Sequence, residues 1–247
     1  MSGLLAAVAF LTRVPVPVPS KAIGMSLAWF PVVGALIGLA GALAYGVALL
    51  VVPPALSAAL ATAALVVLTG ALHEDGLADS ADAWGGSSTR EDALRILDDP
   101  AHGTYGVVAL VLGLALRVSA LAAMTPLAAL LILPAAHALS RATMVGVLAM
   151  TPPARSTGLG ARYAAFATRR TLAAALAAAL IIGFGLVGPA SLALVAAAGL
   201  GGWLVRRLAL RSIGGVTGDV LGATQQVTEV AILVVATALV MAGWGPR

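Results

Sequence analysis

No cysteine occurs anywhere in the 247 residues, so the chain has no disulfide framework, no thiolate metal site and no cysteine nucleophile. Charge is nearly as scarce. Only 10% of residues are charged while 61% are hydrophobic, against roughly 25% charged in an average soluble domain, and a chain of that composition is solvated mostly by lipid. Aromatics stand at 4%, no basic stretch is interleaved with them, and the net charge is only +4; all three argue against a nucleic-acid partner. The N-terminal MSGLLAAVAFLTRVPVPVPSK carries no positive residue before its apolar run, and Pro-rich sequence stands where a cleavage site belongs. It is expected to be retained as an interfacial helix leading into an extended segment.

What is present in quantity is apolar sequence of membrane-spanning length. A bilayer core of about 30 Å needs about 20 apolar residues as helix, and seven stretches approach or meet that length: Leu27–Val52, Ala55–Leu72, Thr104–Met124, Leu127–Met150, Leu172–Val187, Ala190–Val205 and Thr228–Trp244. The expected fold is all-α, a polytopic integral membrane protein of about seven transmembrane helices, with residues 1–247 forming one membrane-embedded catalytic domain. The fifth and sixth stretches are short and separated only by Gly188-Pro189, so a re-entrant pair is the alternative there. Connectors at Pro53-Pro54, Thr125-Pro126 and Gly188-Pro189 are tiny and uncharged, whereas the alternate ones hold Arg13 and Lys21, Arg90 and Arg95, Arg155, Arg162, Arg169 and Arg170, and Arg206, Arg207 and Arg211. The positive-inside rule makes those segments cytoplasmic, in the inner membrane of the cell, and gives the active site a cytoplasmic face. Gly34, Gly38 and Gly41 would let neighbouring helices approach closely.

Acid is confined even more sharply. Eight of the ten Asp and Glu lie between Glu74 and Asp99, and the others are Asp219 and Glu229. Within HEDGLADSAD, Asp75, Asp79 and Asp82 stand at i, i+4 and i+7, which puts three carboxylates on one face of a helix. Such an arrangement needs a cation, and oxygen ligands without cysteine suit Mg²⁺ or Mn²⁺. A solvated acidic loop is the competing reading, but the interleaved Leu77, Ala78, Ala81, Ala83 and Trp84 favour a packed helix. A short capped helix is expected from Ser88 or Thr89 to about Leu97. Asp98 and Asp99 follow it, with Asp99 a further candidate metal ligand. Gly103-Thr104-x-Gly106 would let a phosphate approach helix-start amides. Inside the spans, Arg117, His137 and Arg141 each need a polar partner; Arg141 is a candidate diphosphate clamp or a counter-charge to the Asp cluster. The Gly-rich GGVTGDVLGATQQVTE holds Asp219, a candidate ligand or general base, in what would otherwise be a flexible connector. Arg155 and Arg162 are possible anion contacts.

Taken together, HEDGLADSADAWGG, LDDPAHGTYG, FLTRVPVP followed by FPVVGALIG, and GGVTGDVLGA resemble the cobalamin synthase family, in family order from Phe10 to Glu229. One departure stands out: a basic residue often precedes the Gly of the Gly-Thr-aromatic-Gly block, and here Ala101-His102 takes that place. Either His102 makes the contact or phosphate binding relies more on Arg90, Arg95 and Arg141. The resemblance implies a Mg²⁺-dependent adenosylcobinamide-GDP ribazoletransferase, in which α-ribazole or its 5′-phosphate displaces GMP from the corrinoid nucleotide. It implies Asp75, Asp79 and Asp82 as metal ligands, with one of these, His73 or Asp219 as base. Substrate contacts would come from Arg141, Arg90, Arg95, His102, Gly103, Thr104, Arg155 and Gly218. A homo-oligomer, or a complex with other corrinoid-pathway enzymes, fits the same picture. A CDP-alcohol phosphotransferase is the rival enzyme, but its Asp-Gly-x-x-Ala-Arg motif fails where Asp79 follows Ala78. A transporter is the rival of another class, and the spans show no clear inverted halves.

Overall fold

The computed structural model describes residues 2–17 and 23–244, so Lys21 lies outside the described residues. Helices α1 (Ser2–Leu11) and α2 (Ile23–Ser26) lead through a 3₁₀ turn into α3 (Phe30–Ala48), then α4 (Pro54–Thr69), α5 (Leu72–Gly86), α6 (Arg90–Ile96) and α7 (Thr104–Ala122). They continue as α8 (Pro126–Ala149), α9 (Gly158–Ala164), α10 (Arg169–Val187), α11 (Ser191–Ser212) and α12 (Gly218–Met241). The protein is all-α and spans the membrane several times.

Local sequence accounts for the boundaries. Pro54 and Pro126 open α4 and α8, where a missing N–H costs nothing and the fixed φ suits the first turn. Thr89, Thr125, Thr168 and Thr217 cap α6, α8, α10 and α12, each side chain accepting a backbone N–H of the first turn. The cap at Thr217 corrects one expectation: the Gly-rich segment before Thr228 is not a flexible connector, since α12 begins at Gly218. The expected capped helix after Thr89 is α6.

Span-length apolar helices cover Gly24–Ala48, Thr104–Ala122, Pro126–Ala149, Arg169–Ser212 and Gly218–Met241, and α4 with α5 would add a sixth only if counted as one span bent by 91°. Among the described residues this count by length and composition is five or six rather than seven, with α10 and α11 taken together as one stretch. The stretch expected at Ala55–Leu72 stops at Thr69, because Gly70 and Ala71 both take the left-handed conformation and turn the chain. The Arg169–Ser212 stretch reverses at Gly188 (φ 59): a Cβ on Gly183 would lie 3.7 Å from that of Ser191, a separation a continuous helix cannot give over eight residues.

Packing is set by glycines. A Cβ on Gly34 would sit 2.4 Å from the His137 carbonyl oxygen and one on Gly38 would sit 2.4 Å from that of Leu133, so α3 lies backbone to backbone on α8. Gly41 makes the same close approach to Leu65 of α4, as small residues allow in helix bundles. Gly201 faces Thr228 and Gly202 faces Thr143, seating α11 against α12 and α8. The buried α8 is the pillar around which the other spans stand. At its C-terminal end two loops are tied together: Ala154 N donates to Val216 O at 3.0 Å and Val216 N to Pro152 O at 2.9 Å. Arg90 spans both, donating to Ile213 O at 2.9 Å and Ala154 O at 3.0 Å.

Gly38→Val should lower stability by about 1–3 kcal/mol or prevent folding through overpacking, whereas Gly46→Ala, with nothing within 4 Å, should leave the thermal transition of the detergent-purified protein in place. Equal transitions for both variants would contradict the close α3–α8 contact.

Candidate active site

The turn at Gly70-Ala71 sends α5 off at 91° to α4 and lays it against α7, where Gly113 faces Leu77 and Gly106 faces Asp82, and against α12, where Gly222 faces Gly76. Helical spacing then presents Asp75 and Asp79 one turn apart, the first exposed and the second mostly covered. His102, from the segment before α7, leans between them: its Nδ1 is 3.2 Å from Asp79 Oδ1 and its Nε2 3.9 Å from Asp75 Oδ1. One ligand atom from each of the three lies within 4.8 Å of the others. Burial and the neighbouring Asp75 and Asp219 push the Asp79 carboxyl up to about 6 against the lowering pull of His102, the signature of crowded anions in want of a cation.

Asp219 arrives from α12 because two glycines let α5 and α12 cross in contact. A Cβ on Gly76 would lie 2.7 Å from the Asp219 carbonyl oxygen and 3.1 Å from the Gly222 Cα. The Thr217 hydroxyl donates to Asp219 Oδ2 at 3.1 Å and orients it. Asp219 lines two hollows at once. One is an apolar cavity that it shares with His73 and Asp75; the other is a polar recess lined by Arg155, Gly158, Gly160 and Gly218.

Other expected residues have different places. Asp82 shares the face of Asp75 and Asp79, but its Oδ2 accepts Gly103 N at 2.7 Å and its Oδ1 accepts Gly106 N at 2.9 Å. It caps the N-terminus of α7, where an anion suits the helix dipole, so in the Gly103-Thr104-x-Gly106 block expected to receive a phosphate the Gly103 and Gly106 amides face this carboxylate instead. The glycines are needed there, since a Cβ on Gly106 would lie 2.3 Å from Asp82 Oδ2. Asp99 stands outside the three-residue cluster and accepts Ala101 N at 2.9 Å. Arg90 is a latch between loops, and exposed Arg95 pairs with Asp92 at 3.4 Å. Arg155 pairs with Asp98 at 2.7 Å while still lining the polar recess.

The largest correction concerns Arg141. It is 1% exposed, and its Nη1 donates to Glu229 Oε2 at 2.9 Å and to Ser140 Oγ at 3.1 Å, with His137 Nδ1 at 2.8 Å. It cannot clamp a substrate because Glu229 already neutralises it. Arg117 donates to Glu74 Oε1 at 3.1 Å, and its Nε lies 3.1 Å from Glu229 Oε1 in a charge contact without hydrogen-bond alignment. Gln226 joins Arg117 to Glu74, and Gln225 donates to Glu229. Two arginines and two glutamates thus cancel inside the bundle. Sequence reasoning missed this pairing although the signal was there: Arg117 and Arg141 needed anions at membrane depth, and Glu74 and Glu229 are the acids next to or within the apolar stretches. His73 is buried beside this network, its Nε2 without a hydrogen-bond partner, and it also lines the apolar cavity.

With this geometry in hand, the sequence profile of Cobalamin-5-phosphate synthase matches residues 3–237. An adenosylcobinamide-GDP ribazoletransferase of Bradyrhizobium diazoefficiens is 43% identical, covering 98% of this chain and 95% of the relative. Proteins of the same name from Rhizobium meliloti (44% identical; 92% of each chain) and Ralstonia nicotianae (41%; 94% of this chain and 93% of the relative) are similarly close. No solved structure matches.

Glu229→Gln leaves two buried arginines short of an anion, and removing one partner of a buried ion pair costs about 3–5 kcal/mol. Thermal unfolding in detergent should show a large downward shift for Glu229→Gln and almost none for Glu91→Gln on exposed α6. An unchanged transition in Glu229→Gln would remove the network from its structural role.

Proposed function

The chain belongs to the Cobalamin-5-phosphate synthase family, and we propose that the family's reaction runs on the face formed by Asp75, Asp79, His102 and Asp219. The protein is an adenosylcobinamide-GDP ribazoletransferase. Membership in the family also removes the CDP-alcohol and transporter alternatives. The observation that carries the site assignment is the convergence of Asp75, Asp79 and His102 beside Asp219, which lines both a polar recess and an apolar cavity. A transferase that moves a corrinoid phosphate from GMP to a heteroaromatic nucleoside handles a charged diphosphate and a flat apolar ring together, and needs both environments side by side.

In the reaction a ribose hydroxyl of α-ribazole, or of its 5′-phosphate, attacks the phosphorus nearer cobinamide. A new phosphorus–oxygen bond forms, the bond to GMP breaks, and the hydroxyl proton must be accepted. Asp219, held by Thr217 at the junction of the two hollows, is the residue we assign to that proton. Asp75 and Asp79 fit a hard divalent ion, since two adjacent carboxylates supply oxygen ligands and leave room for waters. When bound, Mg²⁺ would offset the charge of the diphosphate. His102 stands where the family often carries a fixed positive charge, and its contact with both carboxylates makes it a neighbour of the ion or a hydrogen-bond donor to phosphate. Arg155 and Gly218, at the start of α12, line the recess and would hold the departing nucleotide by charge and dipole. The arginines of the connectors, from Arg90 to Arg211, flank this end of the bundle, and the positive-inside rule puts it in the cytoplasm.

Detergent-purified protein should release GMP from the GDP-activated corrinoid only with acceptor and Mg²⁺. Asp75→Asn and Asp79→Asn should each lower that rate by about 10²-fold or more, the scale of removing one preorganised electrostatic group, with helicity unchanged. Full Mg²⁺-dependent turnover in either variant would contradict the assignment. Asp82→Asn should instead weaken the α7 cap, with a stability loss of about 1 kcal/mol and an unaltered Mg²⁺ concentration dependence.

A further inference from the structure

The apolar cavity beside Asp75 and Asp219 is not needed to hold a diphosphate, and its walls are of the wrong chemistry for one. Phe10 and Phe30 stack with ring centroids 5.5 Å apart and planes within 11°, and Tyr163 tilts against Phe10 at 4.9 Å. Val145 and Leu148 of α8 line the cavity as well. Its volume is about 150 Å³, and a dry apolar cavity of about that size suffices to bind a benzene ring. A corrin macrocycle is far too large to enter, and a guanosine diphosphate would bring charge into an apolar chamber. Two carboxylates, Asp75 and Asp219, also line it and give the apolar chamber a polar margin.

From this geometry we infer that the cavity takes the flat heteroaromatic base of the acceptor nucleoside, holding its ribose at the polar margin so that a ribose hydroxyl faces Asp219. The inference rests on the ribazoletransferase reading and adds to it which substrate part goes where. Three features point to a planar ring rather than a lipid chain. Aromatic side chains form one wall and favour stacking or edge contacts with a ring. The chamber is small. His73 lines it, and its buried Nε2 has no hydrogen-bond partner among the described residues, so a heteroaromatic ring nitrogen would find an imidazole there where an acyl chain gains nothing. The same seat explains how a hydroxyl can be positioned with few polar contacts to the nucleoside: burying the base fixes the ribose, and orientation then contributes to rate.

The test uses the full-length protein in detergent. Benzimidazole alone should compete with the acceptor nucleoside and not with the GDP-activated corrinoid. Val145→Phe, which fills the cavity, should raise the acceptor KM by about tenfold or more while leaving that of the corrinoid within about twofold, the discrimination a hydrophobic pocket can supply. Leu148→Ala, which enlarges it, should shift the kcat/KM ratio by about tenfold toward a nucleoside with a tricyclic base; a loss of stability alone cannot change that preference. Unchanged acceptor kinetics and preference in both variants, competition of benzimidazole with the corrinoid, or variants that alter only the lipid retained in mass spectra would overturn the inference. If the wild-type protein released no GMP under any condition, the ribazoletransferase reading itself would fail. Benzimidazole binding measured directly by saturation-transfer NMR, and lost in Val145→Phe, would still support the cavity as a seat for the base, whereas binding retained in that variant would overturn it.

Discussion

Everything else in this protein depends on the cancellation of charge between Arg117 and Arg141 on one side and Glu74 and Glu229 on the other. An arginine at membrane depth costs at least about 2.5 kcal/mol even on the mildest scale, so neither guanidinium is tolerable among apolar helices unless a carboxylate meets it. The four residues come from α5, α7, α8 and α12, so meeting that requirement also holds those four helices in one mutual orientation. The network supplies rotational register where apolar packing alone is permissive, because lipid is as good a neighbour for leucine as another helix is.

That register carries outward to the cluster of Asp75, Asp79 and His102. Glu74 and Asp75 are consecutive on α5, and Asp219 lies on the same helix as Glu229, so fixing the buried members fixes the exposed ones. Where the ion network stops, glycines take over. Gly76 and Gly222 bring α5 and α12 into backbone contact, and the left-handed turn at Gly70-Ala71 swings α5 off its span. Asp82 completes the arrangement by binding the first amides of α7, which also carries His102 to the carboxylate pair. The acidic helix thus has three distinct duties along its length: Glu74 neutralises the interior, Asp75 and Asp79 meet His102, and Asp82 anchors a neighbour.

Stability and activity are therefore separated by depth. The charges deepest in the bundle are paired with each other and leave nothing for a substrate, whereas Asp75 and Asp79 are crowded by like charge and invite a cation. The arginines most readily suspected of holding phosphate divide in the same way. Arg141 is spent on Glu229 and Arg90 on backbone carbonyls, while Arg155 still lines a recess.

The linear sequence by itself determined the class of the protein, the caps and prolines that begin its helices, the helical phase of Asp75, Asp79 and Asp82, and, through its motif blocks, the family. These properties are local: composition decides the solvent, periodicity decides which face a side chain takes, and a Thr cap or a Pro acts within one turn. Only the tertiary structure decided which charges meet. Glu229 is 88 residues from Arg141, Asp82 is 21 from Gly103 and Gln226 is 152 from Glu74; no spacing rule reaches across such distances. Residues with identical chemistry on paper, Asp79 and Asp82 or Arg141 and Arg155, received different tasks because a carboxylate or guanidinium binds whatever partner the fold brings within about 3 Å, and helix packing makes that choice.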